Sequence, residues 1–200
     1  MKAGEIEALR KRFKALYPNE PTHEWQPLTD RIRRALSWLD KAAHSKSDSP
    51  VRFVELWIAL NALYGQQPSA DRTKRPTEGT AFARWAEKVA GLDAKGQLLA
   101  SIDDPVVDSL MRNRFLCSAY WAGDSGYQRS INDDVREKRE AVQERRVAAA
   151  LICVFQRILV LRNQIVHGSA AQNTVRNQDA VQPAIRVLSA MLRVPLCQDG

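Results

Sequence analysis

Apolar residues along this chain recur mostly three and four positions apart, the spacing that lines one side of a helix. No series of short alternating segments bounded by turns marks a sheet. The pattern predicts an all-α chain. A first helix is expected over Glu5 to Tyr17 and a second over Leu28 to His44, with Ile32, Leu36 and Leu39 on one stripe and Arg31, Arg33 and Arg34 largely off it.

The third helix is signalled at both ends. Ser49 can cap it, Pro50 suits its first position, and Gly65 can close it in a left-handed conformation. Its body, "VRFVELWIALNALY", is apolar nearly all round, which predicts a place at the centre of a bundle. Glu55 and Asn61 are the odd members there, because a buried polar group is costly unless something pairs with it.

The stretch "QQPSADRTKRPTEGT", residues 66 to 80, mixes proline, glycine, small polar residues and charges and reads as a mobile surface loop. Helices are expected from Ala81 to Ala90 and from Pro105 to Cys117, the latter capped by Asp104. A loop carrying Tyr120, Trp121 and Tyr127 follows. One long helix is then expected from Asp133 to about Leu161, with a solvated first half of mixed Glu and Arg and a core-forming second half, "VAAALICVFQRILVL". A final helix, Asp179 to Arg193, has Val181, Ile185, Leu188 and Leu192 on one side and tolerates Pro183 near its start. The 200 residues are enough for one domain with a sizeable core, with residues 1 to 48 readable as an N-terminal helical extension.

The formal net charge of +7 changes the picture modestly, since a positive field attracts polyanions but equally serves solubility. Three scattered cysteines, Cys117, Cys153 and Cys197, lack the paired spacing of a zinc or redox motif, and Cys153 reads as buried. With His23, His44 and His167 equally scattered, neither a metal nor another cofactor is expected. The N-terminus has no apolar core of a secretory signal, and no run of about eighteen apolar residues is free of charge. A cytoplasmic chain with no membrane partner is the expectation.

One tempting match fails on context. "GDSG", Gly123 to Gly126, and "AAH", Ala42 to His44, look like segments of trypsin-like proteases, but that fold needs many strands, and none is predicted here.

The segment "VLRNQIVHGSA", residues 160 to 170, carries more. Arg162 and His167 are five apart, about 140° around a regular helix, so they could converge on one ligand only if the helix breaks or a partner supplies the missing side. β-Branched Ile165 and Val166 followed by Gly168 predict such a break. A reading without chemistry is also open, in which two cations simply meet the negative end of the helix dipole.

"RNQIVHG" after a long apolar helix, with "FVELWIALNALYG" upstream, resembles the HEPN superfamily of all-helical domains. Its hallmark is an arginine, usually followed by a polar residue, then a histidine after four to six intervening positions; Arg162, Asn163 and His167 fit it. The resemblance is clearest over residues 50 to 65 and 145 to 193. It implies a helical bundle with a long motif-bearing helix, acting as a metal-independent endoribonuclease of a toxin or phage-defence system. It also implies a homodimer with two motifs facing one cleft, and an antitoxin protein as partner. Ser169 stands where members paired with nucleotidyltransferase antitoxins carry a tyrosine, and other members have lost activity and serve as binding modules.

In this reading Arg162 steadies the phosphate, His167 moves protons, Asn163 orients the ribose or the imidazole, and Glu55 fixes Arg162, unless Glu55 pairs locally with Arg52. Trp121 with its neighbours Tyr120, Tyr127 and Arg129 could stack bases or pin a loop. Arg72, Lys74 and Arg75 could meet phosphates or only water. The rival functions are a catalytically silent module binding nucleotide, RNA or protein, and a purely structural oligomerisation domain.

Overall fold

The computed structural model describes residues 3–16, 27–65, 76–167 and 175–197. These residues are all-α, with no strand among them. In chain order the helices are α1 (Ala3–Leu16), α2 (Pro27–His44), α3 (Pro50–Tyr64), α4 (Glu78–Ala90), α5 (Gln97–Ile102), α6 (Pro105–Arg112), α7 (Ser118–Trp121), α8 (Tyr127–Gln143), α9 (Val147–Val166) and α10 (Val175–Leu196). A 3-10 turn, Arg114–Leu116, lies between α6 and α7.

The apolar body of α3 places it against α2, α10, α9 and α4. Phe53, Leu56, Trp57, Ala59, Leu60 and Tyr64 are buried, while Val51 and Asn61 face solvent. Asn61 therefore needs no buried partner, contrary to expectation, because α3 is central on most of its circumference and not all of it. Ser49 caps the helix through its side chain, which accepts from the Arg52 amide. Gly65 is not left-handed but extended, at φ −60° and ψ 144°. Its glycine is required by space, since a side chain would collide with the Asn61 carbonyl oxygen.

An aromatic cluster joins α3, α4 and α9. Phe155 of α9 stacks on Trp57 of α3 and on Phe82 of α4, and the Tyr64 ring packs edge-on against Trp57, Phe82 and Phe155. Burying rings of this size contributes several kcal/mol, about 1.5–3 per side chain. The cluster fixes the end of α3 and the start of α4 against the middle of α9.

Several expected boundaries move. Helix α4 begins at Glu78, inside the expected loop, because Thr77 caps it by accepting from the Thr80 amide. Helix α6 stops at Arg112, where Asn113 turns the chain and caps the 3-10 turn. Helix α10 begins at Val175, which leaves Pro183 well inside it. The expected long helix from Asp133 to Leu161 is two helices, α8 and α9, folded back on one another.

The α8–α9 corner has a definite cause. Arg145 adopts φ +56°, the Arg146 amide bonds the Ala141 carbonyl, and the Arg145 amide bonds that of Val142. This is the Schellman closure, in which glycine normally takes the left-handed place. Arginine there costs about 1–2 kcal/mol. Two buried cations then tie the hairpin to the rest: Arg157 donates to Asp134 and to the Leu116 carbonyl, and Lys138 to Asp108 and the Ile102 carbonyl.

Helix α9 is the one described helix long and apolar enough, by length and composition alone, to cross a membrane. Its inward side, with Leu151, Val154, Phe155, Ile158 and Leu161, is core. Its outward side, with Ile152, Cys153, Leu159 and Val160, is only partly covered, so Cys153 is half-buried where burial was expected.

Candidate functional site

The last turns of α9 carry Arg162, Asn163 and His167. The expected break between them is absent: α9 is helical through Val166, and His167 is its C-cap, its amide bonded to the Asn163 carbonyl. Ile165 and Val166 stay helical because Ile165 packs on the core and the preceding turns are held by tertiary contacts. Arg162 and His167 consequently project about 140° apart, while Asn163 and His167 are one turn apart on the same side. Asn163 and His167 are exposed.

Arg162 turns the other way. Its Nη2 donates to Glu78 Oε2 at 2.5 Å, and its guanidinium carbon lies 4.9 Å from the centre of the Trp57 ring. The arginine side chain is 19% exposed and the glutamate 34%. The second oxygen of Glu78 accepts from the Tyr64 hydroxyl at 3.1 Å. Burial, and then the negative charge of Glu78 with which it bonds, push the Tyr64 hydroxyl far above the usual phenol range, against the opposing charge of Arg162. Tyr64 is thus a fixed hydrogen-bond donor. Together Glu78, steadied by Tyr64, and Trp57 clamp one edge and one face of Arg162, while its Nε makes no hydrogen bond among the described residues.

The carboxylate on Arg162 is therefore Glu78 and not Glu55, the residue expected from sequence. Glu55 sits about 200° around α3 from Trp57 and instead accepts from the Ser45 hydroxyl at 2.6 Å. Glu78 was missed because it falls in a stretch that reads as loop. Thr77, with Glu78 in the first turn of the apolar run "AFARWAEKV", was the available signal for a helix start.

On the other side of α9, Gln164 is buried and donates to the Phe115 carbonyl oxygen at 2.5 Å. The same oxygen accepts from Trp121 Nε1 at 2.8 Å. The aromatic stretch is not the expected open loop: Tyr120 and Trp121 belong to α7, and Tyr127 opens α8. Tyr120 packs edge-on against Phe115, Trp121 and Tyr127. The two tyrosines are half-buried, whereas Trp121 stays 53% exposed. Arg129, in the first turn of α8, is highly exposed and approaches Asp133 only at 3.9 Å.

Arg72, Lys74 and Arg75 lie outside the described residues. No group of three or more His, Cys, Asp or Glu among the described residues could hold a metal ion. No family model, curated protein or solved structure matches this chain. The class that fold and site define is an all-α bundle whose apolar core helix ends in a clamped arginine and an exposed Asn–His pair.

Proposed function

We propose that the chain is a metal-independent endoribonuclease of HEPN type, a cytoplasmic toxin or phage-defence effector that works as a homodimer and is held in check by an antitoxin protein. The single observation that carries the reading is the end of α9, where Arg162 is clamped while Asn163 and His167 stand in solvent one turn apart.

Cleavage of RNA by its own 2′-hydroxyl requires removing that proton, stabilising charge at phosphorus and protonating the leaving 5′-oxygen. Histidine exchanges protons near neutral pH, and one imidazole cannot be base and acid in a single concerted step. A two-fold contact brings a second Arg162, Asn163 and His167 to the same cleft. The half-covered apolar outer side of α9, which ends at the 53% exposed Val166 beside His167, supports such a contact.

A second reading is favoured by the engagement of Arg162 with Glu78: a module that binds RNA, nucleotide or protein without turnover. Product chemistry separates the two. With chelator present, the nuclease reading expects fragments ending in 2′,3′-cyclic phosphate, from a protein that sediments as a dimer. Binding without fragments selects the silent module.

A further inference from the structure

Three aromatic residues cluster beside α9, and they are not alike. Tyr120 and Tyr127 are half-buried and make the edge contacts that hold α7 and the start of α8 together. Trp121 meets Tyr120 edge-on and still leaves 53% of its surface in solvent. Its one polar atom is already used, since Nε1 donates inward to the Phe115 carbonyl oxygen. The ring is therefore fixed in orientation and has no donor left for water. What it offers outward is an aromatic face.

Its position follows from the shared carbonyl. Both lone pairs of the Phe115 oxygen are taken, one by Trp121 and one by Gln164, so the indole and the α9 amide are neighbours. Gln164 is three residues before His167 and hence its neighbour on the helix surface, and His167 in turn lies one turn beyond Asn163. Next to this, Arg114 holds its exposed guanidinium over the Phe115 ring at 4.9 Å and near Tyr120 at 5.8 Å, with no ion pair among the described residues. A rigid aromatic face, a positioned cation and a proton-transfer residue thus share one stretch of surface.

We propose that Trp121 is a stacking platform for one unpaired base of an RNA strand whose backbone passes Arg114 and reaches the Asn163–His167 turn. The inference rests on the ribonuclease reading and adds the class of substrate. A base inside a duplex is stacked on both faces and cannot lie on the indole, so the platform selects single-stranded or looped RNA. Every base has a π-face, so the platform is tolerant of sequence.

The test measures binding of a short single-stranded oligonucleotide in its uncleavable 2′-deoxy form, with the same sequence as a duplex for comparison, so that the result does not depend on catalysis. Trp121→Ala should weaken single-strand binding roughly ten- to a hundredfold while leaving the weaker duplex binding and the helical circular dichroism unchanged. Trp121→Phe, which keeps a face but loses the N–H, should retain most of the affinity. A ladder of oligonucleotides with one abasic site each should show one position whose loss wild type feels and Trp121→Ala does not. Should Trp121→Ala fail to fold, Trp121→Leu, which keeps bulk but has no π-face, takes its place in the binding and ladder comparisons.

Equal binding by wild type and Trp121→Ala, equal losses in the Ala and Phe variants, or a ladder with no sensitive position would each overturn the platform. If wild type cleaves RNA while any of these is found, the nuclease reading stands and the platform falls. If the platform is found and no RNA is cleaved under any condition, the binding module is selected instead.

Discussion

Glu78 and Arg162, 84 residues apart in the chain, meet through a 2.5 Å contact between carboxylate and guanidinium at the point where α4 begins and α9 approaches its end. Hydrogen bonds to charged groups in such half-buried positions contribute about 1–3 kcal/mol. Glu78→Gln should therefore lower unfolding free energy by that amount in denaturant titration. Combined with Arg162→Gln it should cost less than the two single changes added together, because each removes the same contact.

Tyr64 supplies a pH signature. Its hydroxyl is raised by burial and by Glu78, so the folded chain keeps this proton at a pH where the unfolded chain has lost it. The stabilisation is fully present below the ordinary phenol value of about 10 and declines as pH rises beyond it. The stability advantage of wild type over Tyr64→Phe should shrink between roughly pH 9 and 11, read as the difference in denaturation midpoints.

Arg145 makes the opposite kind of prediction. With φ at +56° and its amide in the closing turn of α8, it occupies a place that glycine fills without strain. Arg145→Gly should stabilise the chain by about 1 kcal/mol and raise the thermal midpoint.

Asp108 is the acid-sensitive partner of a buried amine. Burial opposes its charge, but hydrogen bonds from Lys138 and Arg139 outweigh that and hold its carboxyl below the usual value of 3.8. Its contribution is complete above that value and is lost as pH falls through the lower, folded-state value. Asp108→Asn leaves Lys138, 2% exposed, without a counter-charge and should cost about 3–5 kcal/mol near neutral pH in chemical denaturation.

The parts of the fold legible in sequence are those written in periodicity and caps. Ser49 with Pro50, Asp104 with Pro105 and the apolar run of α9 all appear where those signals put them. The α8–α9 corner was not legible, because "QERRV" holds no glycine or proline and a left-handed arginine is imposed by packing of the hairpin. The start of α4 was hidden by Gly79 and the proline-bearing polar stretch before it, and the continuity of α9 to Val166 by β-branched Ile165 and Val166, whose weak local preference is overridden by tertiary packing. At the candidate site the sequence identified Arg162, Asn163 and His167 but not their surroundings. Glu78 and Trp57 meet Arg162, and Tyr64 meets Glu78, only through the long-range packing of α3, α4 and α9, which no local spacing records.

The most direct measurement is the rate at which purified protein cleaves total RNA in chelator, wild type beside His167→Ala. Because His167 is an exposed C-cap, its removal should cost no more than about 1 kcal/mol of stability. The predicted result is a rate lower by roughly 10²- to 10⁴-fold with circular dichroism unchanged. Cleavage by both proteins at the same rate, or loss of helical signal in step with activity, would contradict the assignment of His167 to the chemistry.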